Sequence, residues 1–88
     1  MPEPRRFRIL NVDDYQIGLY AKSRVLRQAG FLVTEAATGA DALARARADV
    51  PDLILLDVQL PDMSGIEVAR QLKADPHTAP IRTLATSR

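Results

Sequence analysis

The chain has 88 residues, no cysteine, and twelve Lys or Arg against eleven Asp or Glu, for a formal net charge of +1. So short a chain holds one domain with a thin core, and the absence of cysteine excludes a disulfide scaffold, a cysteine zinc site and a thiol nucleophile. Near-balanced charge argues against a nucleic-acid footprint, and the longest bulky apolar run, Leu53-Ile54-Leu55-Leu56, is too short for a membrane span or a signal peptide.

Arg6 to Val12 turns from alternating to mostly apolar and stops at Asp13-Asp14, which predicts a strand. From Gln16 to Ala29 the spacing becomes helical. Gly18, Ala21, Val25 and Ala29, with Leu26 beside them, form the expected buried stripe, while Lys22, Arg24, Arg27 and Gln28 cover the rest. Gly30 stands where a helix C-cap belongs. Phe31 to Ala36 reads as a second strand, and Ala40 to Asp49 as a second helix burying Leu43 and Ala46. Pro51 closes that helix. Leu53 to Leu56 then has the continuous apolar character of a strand covered on both faces, the mark of a parallel sheet. Leu60 to Gly65 is loop chemistry, Ile66 to Ala74 a helix with Ile66, Ala69 and Leu72 on one side, and Ile81 to Thr86 a final strand. The order β-α-β-α-β-α-β with right-handed crossovers gives an α/β fold, an open doubly wound parallel sheet. Residues 1–88 are expected to form a single domain.

Ligand sites of such sheets lie beyond the carboxyl ends of the strands, near the switch in strand order. Two strands end in acids, the first in Asp13-Asp14 and the third in Asp57. An Asp pair after a strand suits a helix N-cap, and a lone Asp before a turn suits a solvated loop. Their joint placement at the ends of two strands is what carries chemical meaning. Three carboxylates brought together repel, and a divalent cation reverses that repulsion. Oxygen-only ligands favour Mg²⁺, and a carboxylate can attack phosphorus to give an aspartyl phosphate. The spacing therefore suggests metal-assisted phosphoryl transfer onto one of these acids.

Four stretches in order carry a resemblance: Ile9-Leu10-Asn11-Val12-Asp13-Asp14, Glu35-Ala36-Ala37-Thr38-Gly39, Pro51 to Asp57, and Leu60-Pro61-Asp62-Met63-Ser64-Gly65. With their spacing they cover residue 6 to about residue 76, and the chain resembles the receiver domain of two-component response regulators. The resemblance implies a flavodoxin-like fold, with Asp57 as phosphoacceptor from a histidine kinase or phosphotransfer protein. It implies Asp13 and Asp14 as the acidic pair holding Mg²⁺, joined by Asp57 and the backbone carbonyl of Gln59. Pro61 and Gly65 match residues that shape the loop after the phosphoacceptor. Such a domain is a cytoplasmic signalling module of a phosphorelay rather than a turnover enzyme.

The match weakens after Asp75-Pro76. Arg82 falls where the family buries an apolar residue, and the family's Ser or Thr switch position falls on Ala85, or on Thr86 after a slip of one residue. The family's further helix, lysine-bearing fifth strand and last helix have no counterpart, so the chain reads as a C-terminally truncated receiver. A homodimer through the exposed fourth strand is one expected compensation. The rival function is a pseudo-receiver, the same fold serving as an interaction module without phosphorylation. A haloacid dehalogenase-like phosphohydrolase would need a second Asp where Gln59 stands, and the scattered Gly18, Gly30, Gly39 and Gly65 offer no phosphate-binding glycine loop. His77 is expected in a solvated turn, Tyr15 and Tyr20 packed over the core, and Arg5, Arg6 and Arg8 as charges flanking a strand.

Overall fold

The computed structural model describes residues 6–86, which leaves Arg5 outside the described residues. The elements run β1 (Arg8–Val12), α1 (Gln16–Gln28), β2 (Leu32–Ala36), α2 (Gly39–Asp49), β3 (Leu53–Asp57), α3 (Gly65–Ala74) and β4 (Arg82–Thr86). The four strands form one parallel sheet in the order β2-β1-β3-β4, so the chain reverses its direction of growth after β2 and brings β1 beside β3. The expected α/β architecture and element order are those observed.

Alternation along the strands separates two unlike faces. Leu10 and Val12 of β1 and Ile54 and Leu56 of β3 point to one side, where Ala42, Leu43 and Ala46 of α2, Val68 and Leu72 of α3, and Ile81 complete the apolar core. Leu43 and Ala46 are buried as the sequence implies. On α3, however, Ile66 is 73% exposed and Val68 takes its place inside, because the first turn after Ser64 directs residue 66 away from the Val68–Leu72 ridge.

The opposite face carries α1, and here the expected stripe is wrong. Val25 is 65% exposed, Ala21 and Ala29 are exposed, and the buried positions are Leu19 and Ser23. The cause lies in β1: Asn11 projects to this side, and its Nδ2 donates to the Leu19 carbonyl at 3.2 Å and to Ser23 Oγ at 3.1 Å. A polar anchor therefore sets the rotation of α1, and Asn11 Oδ1 is left buried without a hydrogen-bond partner. Tyr15 and Tyr20 are likewise exposed rather than packed over the core.

Helix ends follow local chemistry. Gly30, at φ 99°, closes α1 with its N–H on the Arg27 carbonyl, while the Phe31 N–H reaches Leu26. Thr38 Oγ1 caps α2 through the Asp41 N–H, and Ser64 Oγ caps α3 through Ile66 and Glu67. Val50 ends α2 in the left-handed region (φ 44°, ψ 68°), an unusual conformation for a β-branched residue, and Pro51 follows it. The last strand begins at Arg82, which is exposed, one position after the buried Ile81.

The Asn11–Ser23 pair yields a stability test. Ser23→Ala leaves the Asn11 amide short of one acceptor and should cost about 1–2 kcal/mol. Removing both polar groups together, as Asn11→Leu with Ser23→Ala, should recover much of that loss; chemical denaturation of the three proteins measures it.

Candidate phosphoryl-acceptor and metal site

Asp13 and Asp57 reach the same place because β1 and β3 are neighbours that run in the same direction. The Asp13 N–H bonds the Ala36 carbonyl at 3.0 Å, extending the ladder one residue past β1, and Asp57 closes β3. Both side chains are buried, Asp13 at 2% and Asp57 at 1% exposure. With Asp14, which is more open to solvent, their carboxylates each present an oxygen within 4.8 Å of the others. Asp14 leads into α1 without supplying its cap, since no side chain caps the Tyr15 end of that helix.

Each buried carboxylate is held by a backbone donor two residues on. Asp13 Oδ1 accepts from the Tyr15 N–H at 2.9 Å and Asp57 Oδ1 from the Gln59 N–H at 3.0 Å, which fixes the rotation of both groups. Asp13 Oδ2 also lies 3.1 Å from Lys22 Nζ. Burial pushes the Asp13 carboxyl up, but the Tyr15 N–H, the Lys22 ammonium and a contact with Asp57 together outweigh it and hold the group below the usual aspartate range.

The loop after β3 is tightly determined. Gly65 donates its N–H to the Val58 carbonyl at 2.9 Å, and Gln59 bridges to Ser64. A Cβ on Gly65 would stand 2.5 Å from the Asp57 carbonyl oxygen, so only glycine permits this approach. Asp62 then ties the loop to α2, accepting from the Gly39 N–H at 2.7 Å and the Ala40 N–H at 2.9 Å. Those two amides hold its carboxyl below the ordinary value. Met63 packs so closely over Gly39 that a Cβ there would collide with it.

Thr86 lies directly opposite Asp57 in the β3–β4 register, on the same face of the sheet, whereas Ala85 pairs with Leu56 and points to the other face. The Val58 N–H binds the Thr86 carbonyl at 3.1 Å. Of the two candidates for the switch position, Thr86 is thus the one beside the acidic cluster. His77 stands apart in an exposed turn, its ring on the Arg47 carbonyl. Sequence reasoning missed Lys22, which it assigned to the solvent side of α1; the available signal was its position four residues after Gly18, on the helix face directed at Asp13.

The donor set, three carboxylates with no His or Cys in the group among the described residues, fits a hard divalent cation such as Mg²⁺. Because the Asp13 carboxyl is lower in the folded chain than unfolded, its stabilising contribution is present above the unfolded value and is lost as pH falls through the folded one. Lys22→Met should raise the Asp13 pKa, read by a carboxyl-carbon NMR titration, and should move acid unfolding to higher pH.

Comparison with known proteins agrees with this geometry. The family described as the response regulator receiver domain matches residues 9–88. Response regulator PleD of Caulobacter vibrioides is 45% identical over 71 residues, which is 81% of this chain and 16% of that protein. Protein PilH of Pseudomonas aeruginosa is 38% identical over 74 residues, 84% of this chain and 61% of that protein. The chain spans less than two thirds of either relative. Among solved structures, the chemotaxis response regulator CheY4 of Vibrio cholerae superposes with a TM-score of 0.88 at 31% identity, covering 92% of this chain and 68% of that one. With the four-stranded parallel sheet, the acidic cluster at its carboxyl edge and a family match over nearly the whole sequence, the chain belongs to the response regulator receiver domain family.

Proposed function

We propose that the chain is the phosphoacceptor module of a two-component phosphorelay, taking a phosphoryl group onto Asp57 from a phosphohistidine of a histidine kinase or phosphotransfer protein. The observation that carries this reading is the convergence of Asp57 with Asp13 and Asp14 at the carboxyl ends of adjacent parallel strands. Asp13, Asp14, Asp57 and the Gln59 carbonyl would hold Mg²⁺, which supplies neutralisation of charge on the phosphoryl oxygens.

This chain's own residues do the rest. The Gln59 N–H orients the Asp57 carboxylate for in-line attack on phosphorus. The new O–P bond forms as the P–N bond to the donor imidazole breaks, and the electron pair stays on that nitrogen. Gly65 lets the loop carrying Gln59 fold back against Asp57. Thr86, whose position beside Asp57 favours it over Ala85, offers a hydroxyl to the transferred group. The module stores one phosphoryl group rather than turning over, as suits a signalling domain working in the cytoplasm. No helix among the described residues is long and apolar enough to cross a membrane.

The test is intact-protein mass spectrometry after incubation with acetyl phosphate and Mg²⁺. The expected result is a gain of one phosphoryl group that vanishes in Asp57→Asn and in excess EDTA. A folded wild-type chain that gains none under these conditions, and none from a histidine phosphotransfer protein, would establish the pseudo-receiver reading instead.

A further inference from the structure

A cation of the chain itself already stands on the acidic cluster. Asp13 Oδ1 is held by the Tyr15 N–H at 2.9 Å, and Lys22 Nζ lies 3.1 Å from the other oxygen, Oδ2. Helix α1 is shaped for that contact. Lys22 follows Gly18 by four residues, and helical side chains lean towards the N-terminus, so the lysine stem runs back over residue 18. A Cβ on Gly18 would already lie 3.6 Å from Asp13 Oδ2 and 3.0 Å from the Tyr15 ring. A longer side chain there would contend with the ammonium for the same oxygen.

A divalent ion at the cluster would need the carboxylate that Lys22 holds. The ammonium and the ion repel each other, and with Lys22 in place the cluster carries one negative charge fewer to attract the ion. Because Asp13 is buried, water screens this opposition less than it would at an open surface. The lysine stem is flexible, so the ammonium can leave Asp13 while α1 keeps its place.

We propose that Lys22 is a resident counter-ion of this site, which neutralises Asp13 while no metal is bound and gives it up when a divalent cation binds, so that its charge sets how tightly the ion is held. The role rests on Asp13, Asp14 and Asp57 being metal ligands, as the phosphorelay reading has them. Lys22 then has two effects. It supplies a buried carboxylate with a counter-charge in the metal-free chain, and it weakens the hold on the ion enough to favour exchange with solvent. Gly18 belongs to the same device, since its missing side chain keeps Asp13 Oδ2 open to the lysine.

The test is an NMR titration of the isotope-labelled chain with MgCl₂ at constant ionic strength and about pH 8, above the aspartate range. The Tyr15 and Gln59 amides report the two buried carboxylates, and the lysine Cε signal reports the ammonium. The sequence has two lysines, and Lys73 lies elsewhere, on the Ala79 carbonyl. In the wild type the Lys22 signal should shift with the same midpoint as the Tyr15 amide. Lys22→Met and Lys22→Gln should bind Mg²⁺ about five- to tenfold more tightly, whereas Lys22→Arg, which keeps the charge, should stay within about twofold of wild type. Equal affinity in wild type and neutral variants, or a Lys22 signal indifferent to the ion, would overturn the role while leaving the metal site standing. A gain shared by Lys22→Arg would trace the effect to packing and overturn it too. Amides that ignore Mg²⁺ in the wild type and in the folded neutral variants alike would remove the metal site itself, and this role with it. Should the neutral variants unfold, the wild-type Lys22 signal decides alone.

Discussion

Burying carboxylates against one another is the constraint to which the rest of this structure answers. Desolvation and mutual repulsion both oppose ionised side chains at the positions of Asp13 and Asp57, and the chain offsets them with directed groups rather than with solvent. Two backbone N–H donors, each two residues downstream, and the Lys22 ammonium hold the pair. Those donors exist only because the turns after β1 and β3 are shaped as they are. The turn after β3 needs Gly65 against the Asp57 carbonyl, and it is carried in turn by Asp62 and Met63 clamped over the start of α2. A requirement at two carboxylates thus reaches through one loop to the far side of the apolar core.

Much of this was legible in the sequence because the signals were strong and local. The continuous run Leu53 to Leu56 specified a strand of a parallel sheet, although only Ile54 and Leu56 are buried while Leu53 and Leu55 on the other face are half-buried, and acids at two strand ends were expected together once the alternating order implied that sheet. Gly30 closes α1 as its residue type announces.

What escaped the sequence depends on partners distant along the chain. The rotation of α1 is set by Asn11, a polar residue in an otherwise apolar strand, so counting apolar positions on the helix chose Val25 and Ala21 where Leu19 and Ser23 are buried. Lys22 was misplaced for the same reason, since a helix turned by about one residue step (~100°) carries a different cation to the acids. Which of Ala85 and Thr86 shares the face of Asp57 depends on the register of β4 on β3, which no residue of β4 alone reveals. Nor does any composition rule foresee Val50 in a left-handed conformation before a proline.

The polar docking of α1 has a kinetic side. Detaching this helix uncovers Leu19 and breaks the Asn11 bonds to Leu19 and Ser23, the Lys22–Asp13 ion pair and the Arg27 bond to Val33, while the apolar cluster under α2 and α3 stays closed. Such an opening lies below global unfolding in free energy, so the amides of α1 should exchange with solvent ahead of those in β1 and β3. Tyr15 and Lys22, which hold Asp13, belong to the start and body of that same helix. The acidic site therefore breathes at the rate of its least anchored element and not at that of the core beneath it.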